Sequence, residues 1–376
     1  MVIKNALVFT DDCKFVQKDV YVDNERFADT ASDSDVIDAS GCYLIPGLMD
    51  IHFHGCVGHD FCDATMEALT AMAEYELKNG VTSICPASMT LSEETLTDVC
   101  KNAKEYRDAW KAGSSARICG INLEGPFIAM NKKGAQNPKY VTAPNKEMFQ
   151  HLIDASDGLV KLTTIAPETE NAIDFIREFS DKVRISIGHT DCDYDTAREA
   201  FLAGASHITH LFNAMPPFTH RKPALIGAGF DTKKVTPEII CDGIHIDPSS
   251  VRTAFAIFGD DRMILISDSM MATGMPNGDY SLGGLAVKVT GRLATLEDGT
   301  IAGSATNLMD CMKTAVQKME LPLESAIKCA TINPAKAIGE DKEYGSITVG
   351  KYADCVLLKQ DNLEIKNVIS HGIVVA

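Results

Sequence analysis

At 376 residues, 45% hydrophobic and 23% charged, the chain has the composition of a globular protein with a sizeable core, which excludes a disordered or fibrous polymer. Its 35 lysines and arginines stand against 52 aspartates and glutamates, a formal charge of −17, so general attraction to nucleic acid or an anionic membrane is excluded and an anionic ligand needs a local cluster of cations. The twelve cysteines form no C-x-x-C, and Cys85, Cys119 and Cys355 fall in apolar runs that suit small buried thiols. Ala6-Leu7-Val8-Phe9 is too short for a signal-peptide core and is followed by Asp11 and Asp12, while no apolar stretch reaches the roughly 18 residues of a membrane span. A cytoplasmic protein with reduced thiols is the expectation.

In chain order, residues 1–45 predict short strands at Val2 to Phe9, Phe15 to Val22 and Val36 to Asp38, divided by Asp, Asn and Ser turns with nothing helical between them. The C-terminal stretch reads the same way, with strand candidates at 353–358 and 372–375. Residues 1–45 and 344–376 are therefore expected to pair as one small β-sandwich domain. Across 46–343 the pattern alternates: apolar strand candidates begin near Leu48, Val81, Arg117, Val160, Arg184, His207, Glu238 and Met263, most followed by helical spacing, as in Met66 to Lys78 or Asp195 to Ala203. Such α/β alternation predicts a (β/α)8 TIM-like barrel, although a doubly wound open sheet gives a similar string. No fixed-length repeat is visible, which argues against a solenoid.

The polar residues at the strand ends favour the barrel. His52 and His54, two apart on a strand, point the same way. Glu124 ends the third strand candidate, His189 the fifth, His210 the sixth, Asp242 and His245 the seventh, and Asp268 the eighth. A barrel brings all of these to one mouth, whereas an open sheet spreads them along an edge.

Any one histidine here also fits a hydrogen-bonded core position, but neutral imidazoles grouped with a carboxylate suit zinc, iron or a similar divalent ion. The expected arrangement is one metal on Glu124, His189 and His210 and a second on His52, His54 and Glu124, with Asp268 counted in the ligand set. Glu124 before Gly125-Pro126 is alternatively a turn residue, and Asp268 between two serines a helix cap. At the end of the last strand Asp268 is placed to act as general base and then acid. His245 is either an exposed loop residue or the donor that polarises a carbonyl under attack. His220-Arg221-Lys222 is either a solvated surface run or an anion site, with Arg221 as a planar fork helped by Lys132-Lys133 after the Glu124 strand.

These residues resemble the amidohydrolase superfamily and, within it, the N-acetylglucosamine-6-phosphate deacetylases, over nearly the whole chain. The motifs are PGLMDIHFHG at 46–55, NLEGPFI at 122–128, KKGAQNP at 132–138, SIGHTDCDYDTA at 186–197, THLFNAMPPFTHRKPALIGA at 209–228, CDGIHI at 241–246 and ISDSMMATGMPNGDYSLGG at 266–284. The H-x-H pair marks only the broad superfamily; EGPF together with HLFNAMPPF is far more specific.

The resemblance implies Glu124, His189 and His210 as core metal ligands, Asp268 as base then acid, His245 as the carbonyl-polarising group, Arg221 on a sugar phosphate, and Asn213 and Ala214 on the substrate. It implies removal of the acetyl group from N-acetylglucosamine 6-phosphate in amino-sugar breakdown, with one or two divalent ions, zinc or iron, per subunit. It also implies a homodimer whose partner subunit completes the phosphate site. Because this chain keeps the H-x-H pair that some relatives lack, a binuclear site is favoured. Gln136 stands where the family commonly has histidine; it and Lys132 are expected near the sugar or phosphate. Ser269 replaces a frequent alanine, and Lys222 and Ala224 replace a glutamate and a glycine. The competing readings are a deacetylase for the galactosamine isomer, an amidohydrolase for a cyclic amide, and a non-catalytic scaffold.

Overall fold

The computed structural model describes residues 1–31 and 35–375; residues 32–34 and 376, which fall in the segments assigned to the β domain, lie outside the described residues. Eight parallel strand segments follow one another in chain order: Leu48–Asp50, Val81–Ile84 continuing into Ala87–Ser88, Ile121–Glu124, Val160–Ile165, Arg184–Ile187, His207–Ile208, Thr236–Ile240 and Ile264–Ile266. Each pairs in parallel with the next, from Leu48 opposite Val81 through Ile240 opposite Ile266, so the sheet curls without skipping a neighbour. Just beyond the first and last strands, His52 O accepts from Asp268 N at 2.9 Å and Ser269 O from His54 N at 2.7 Å.

Helices flank the sheet, and these strands read as nearly unbroken apolar runs because both faces are covered. Met49, Ile51, Cys85, Leu162, Ile240, Ile264 and Ile266 form one buried cluster on the inner side. A larger cluster, including Leu69, Met72, Phe149, Phe175 and Phe201, joins the sheet to the helices. Met66–Lys78 begins at Thr65, whose hydroxyl accepts from Ala68 N at 3.2 Å, and it stops where Gly80 takes a φ of 82°.

The terminal strands share one continuous hydrogen-bonded sheet, where two facing sheets were expected. Val2–Phe9 is bulged between Ile3 and Ala6 and pairs Phe15–Asp23 on one edge and both Val36–Asp38 and Cys42–Pro46 on the other, so the bonding passes straight through it. Cys355–Lys359 runs antiparallel to Cys42–Pro46 and carries Ile365–Ser370 on its far side. Alternation divides the two faces: Leu44, Leu357 and Ile369 enter a separate small core, while Ile45, Val356 and Val368 pack into the main one.

A third sheet was not anticipated. Gly278–Leu282, Leu285–Thr290 and Leu293–Thr295 form an antiparallel meander turned at Gly283-Gly284, whose φ values of 56° and 81° suit a two-residue hairpin. Leu282, Val287, Val289 and Ala294 face Met89, Ala135 and Met270. Among the described residues no helix is long and apolar enough to cross a membrane.

Candidate active site

A cavity of about 520 Å³ opens where the C-terminal ends of the parallel strands meet, lined by His54, Glu124, His189, His210, His245 and Asp268. Asp50, His52 and His54 alternate out of the first strand onto one side. Glu124 ends its strand at Gly125, where φ is 89° and a β-carbon would collide with the Thr90 hydroxyl. His189, His210 and Asp268 have φ of 45°, 25° and 50°, left-handed conformations that cost roughly 1–3 kcal/mol each and persist only when surrounding structure holds them. The backbone turns sharply at each strand end and aims the side chain inward.

Glu124 is the centre of the cluster. Its Oε1 lies 3.2 Å from His52 Nε2, 3.2 Å from His189 Nε2 and 3.0 Å from His210 Nε2, and its Oε2 lies 3.3 Å from His54 Nε2. The outer nitrogens of three of these rings are already committed. His54 Nδ1 donates to the Ala87 carbonyl at 3.1 Å and His189 Nδ1 to the Lys132 carbonyl at 2.9 Å, and a carbonyl only accepts. His52 Nδ1 donates to Glu238 Oε2 at 2.9 Å. Burial opposes ionisation of Glu238, but the charge of His52 and hydrogen bonds from His207 and His52 hold it below the usual carboxylate range. Each neutral ring therefore presents an Nε2 lone pair to a carboxylate that also offers lone pairs.

Such a convergence needs positive charge at its centre, and protons or cations can supply it. Without a cation, protons on the imidazoles supply it: burial disfavours the imidazolium of His54, yet hydrogen bonds to Asp268 and Glu124 lift its pKa to about 10. His52 is likewise raised by Glu238 and Glu124 against burial. Two triads, His52–His54–Glu124 and Glu124–His189–His210, each have their ligand atoms within 4.8 Å of one another. His210 Nε2 and His189 Nε2 are 3.0 Å apart, and His52 Nε2 is buried without a well-formed hydrogen bond. Imidazole and carboxylate donors, with the outer nitrogens of His52, His54 and His189 anchored, fit divalent metal ions, with Glu124 common to the two triads.

Asp268 faces this cluster, Oδ1 lying 3.3 Å from His54 Nε2 and 3.8 Å from His52 Nε2. Burial raises its pKa, but the hydrogen bond from His54 and the charge of His52 lower it more, leaving an ionised carboxylate able to take a proton. On the other wall, His245 Nδ1 donates to Asp242 Oδ2 at 2.8 Å, while Asp242 Oδ1 accepts from the backbone N–H groups of Ile244 and His245 at 2.9 Å each. Burial favours the neutral ring, yet Asp242 raises the pKa of His245, which favours a charged donor at the cavity.

Asn213, Ala214, Lys132 and Gln136 also line the cavity. Lys132 Nζ reaches Asp191 at 3.4 Å. Arg221 stands apart: it is exposed, in a separate depression with Asp191, Tyr194 and Lys222. Sequence reasoning missed Glu238, which binds His52, accepts from His210 N at 3.1 Å and meets His207 Nε2 at 3.1 Å, and Asp50, which accepts from Ser267 Oγ at 2.5 Å. The available signal was a carboxylate on an otherwise apolar strand, two residues before the inward Ile240.

The amidohydrolase family profile matches residues 43–375. N-acetylglucosamine-6-phosphate deacetylase of Bacillus subtilis (strain 168) is 36% identical over 362 residues, 96% of this chain and 90% of that protein. N-acetylgalactosamine-6-phosphate deacetylase of Escherichia coli O157:H7 is 31% identical over 316 residues, 84% of this chain and 83% of that one. A variant of N-acetyl-D-glucosamine-6-phosphate deacetylase from Mycobacterium smegmatis, solved with N-acetyl-D-glucosamine-6-phosphate, superposes with a TM-score of 0.91 at 31% identity, covering 100% of this chain and 99% of that chain. A likeness that runs the length of the chain, around a cluster built of the same strand-end histidines and glutamate that carried the resemblance, places this chain in the amidohydrolase superfamily, closely related to the N-acetylglucosamine-6-phosphate deacetylases.

Proposed function

We infer that this protein is a metal-dependent amidohydrolase that removes the acetyl group from N-acetylglucosamine 6-phosphate, releasing glucosamine 6-phosphate and acetate. The observation that carries this reading is four imidazole nitrogens converging on Glu124, with the ionised Asp268 beside them. A divalent cation bound there acidifies water and polarises the amide carbonyl. Asp268 accepts the proton of the attacking water and later delivers it to the departing amine. His245, held by Asp242, donates from Nε2 to the carbonyl oxygen as negative charge develops on it. Glu124, His189 and His210 would hold one ion and His52, His54 and Glu124 a second, with Asp268 in the ligand set; zinc or iron suits these donors.

Asn213 and the backbone of Ala214 position the sugar, and Lys132 contributes positive charge at the rim. Because Arg221 lies outside the cavity of its own chain, its role on the phosphate is assigned to a homodimer in which the partner's copy completes the site. The same reading takes the curled sheet as a closed (β/α)8 barrel over 46–343, with 1–45 and 344–376 as the small β domain. It also takes the enzyme as cytoplasmic, with no nucleic-acid or membrane partner, in keeping with its negative charge.

Acetate release by the zinc-loaded protein tests the reaction. N-acetylglucosamine 6-phosphate should be turned over far faster than the unphosphorylated sugar and faster than N-acetylgalactosamine 6-phosphate. Equal rates with and without phosphate would remove the phosphate site, preference for the galactosamine isomer would reassign the sugar, and no release from any of the three would overturn the deacetylase reading.

A further inference from the structure

Gln136 lines the cavity, yet both ends of its amide are engaged by the protein. It is 2% exposed; Oε1 accepts from Thr90 N at 2.6 Å and Nε2 donates to Glu124 Oε2 at 2.5 Å. A backbone N–H can only donate, so the amide oxygen must face Thr90 and the NH2 must face the carboxylate. The orientation of the side chain is thereby settled by its neighbours.

The partner of that NH2 is the one carboxylate common to both ligand triads. Oε1 of Glu124 faces His52, His189 and His210, while Oε2 is reached by His54 and Gln136. The terminal torsion of a glutamate is soft, with a broad profile, so nothing in Glu124 itself keeps Oε1 aimed at three imidazoles. Gln136, tethered to the backbone at Thr90, opposes that rotation. Being neutral, it neither repels an incoming cation nor competes with it as a second carboxylate would.

We propose that Gln136 is the positioning residue of the shared carboxylate, holding Glu124 so that Oε1 stays aimed at His52, His189 and His210; it governs how tightly the cation is held and adds little to substrate binding. This rests on the metal-dependent reading above. The test uses the full chain with Gln136→Met, close in size but without the amide, and Gln136→Asn, which keeps the amide but is one methylene too short to span Thr90 and Glu124. Zinc affinity is read by competition with a chromophoric chelator, beside the melting temperature of stripped protein and KM and kcat at saturating zinc.

Both variants should bind zinc roughly 10- to 100-fold more weakly, the usual consequence of losing a hydrogen bond to a ligand. KM at saturating zinc should stay within about twofold of the parent. Unchanged zinc affinity, or a severalfold rise in KM with zinc affinity intact, would overturn the proposal and return Gln136 to the substrate. Should Gln136→Met fail to fold, Gln136→Asn decides alone. A parent protein that takes up no zinc would overturn the metal-dependent reading and this proposal with it, whereas a parent and variants that bind zinc equally would overturn only the role of Gln136.

Discussion

Individual side chains divide the chemistry, and each division can be measured. Asp268→Asn keeps the shape but cannot accept a proton, so kcat should fall roughly 10²- to 10⁴-fold while metal content, measured on the same preparation, stays near the parent value. Retained turnover would remove Asp268 from proton transfer. Asp242 raises the pKa of His245 against burial. In Asp242→Asn only the charge of Asp268 still opposes burial, so His245 should lose its proton at lower pH and the alkaline limb of the kcat/KM profile should move down; an unmoved limb would mean that His245 does not set it. Glu76 is fully buried, and burial first, then Asp50, holds its pKa well above the ordinary value against a hydrogen bond from the Cys56 thiol. A raised carboxylate binds its proton in the folded chain after the unfolded chain has lost it. Its contribution is therefore best at low pH and declines by about 1.4 kcal/mol per unit once pH passes the unfolded value. Glu76→Gln should flatten that decline in urea melts compared between pH 5 and 8, and identical slopes for parent and variant would show that Glu76 is ionised in the folded protein.

Local patterns set the elements, and the exceptions have local causes. Met66–Lys78 is where its spacing predicts, because an amphipathic run lies between the Thr65 cap and Asn79-Gly80. Tyr194–Ala203 starts one residue before the predicted Asp195, since Asp193 accepts from Thr196 N and caps the turn. Of the strand pair turned at Gly283-Gly284, Gly278–Leu282 falls in the segment 266–284 that carries the family resemblance, while alternation through Val287 and Val289 beyond it marks a half-buried strand. Gly284 has φ of 81° and only Asn137 near the position of a β-carbon, so Gly284→Ala meets backbone strain with little collision. It should lower stability by about 1–2 kcal/mol. Chemical denaturation checks this, and an unchanged midpoint would show that the hairpin relaxes freely. The short strand Arg26–Ala28 pairs Phe15–Asp23 through a turn at Asn24, whose φ is 54°; Asp23-Asn24 is the signal that a reading at strand resolution missed.

Across the whole molecule, the cluster around Glu124 joins the first strand to the third, fifth, sixth and last, so cation binding and fold stability are linked. A cation that binds only the folded chain adds roughly 4 kcal/mol at a thousandfold excess over its Kd. Stripping with a chelator should lower the melting temperature, and zinc should restore it in a concentration-dependent way. A melting curve indifferent to both would mean that the four imidazoles are held by protons alone. The strands of the curled sheet also share their inner cluster with Ala335, in the last helix Ile332–Ile338, and with Tyr344 on the return to the terminal sheet. The β sheet built from the two ends of the chain thus packs on the body that carries the site.

The α/β order, the strand starts and the types of residue at the strand ends were legible in the chain itself, because side-chain alternation and helical spacing are local properties. His52 and His54 could be read as a pair because two residues separate them on one strand. The tertiary structure alone decided that Glu124 meets all four imidazoles, that Glu238 and two backbone carbonyls set the tautomers of three of them, that Gln136 turns toward Glu124, and that Arg221 stays outside the cavity of its own chain. Those outcomes depend on distances between residues tens to hundreds of positions apart, and on backbone turns at His189, His210 and Asp268 that no residue type announces. Hydrogen-bond geometry assigns such roles, and it exists only once the strands have been brought side by side.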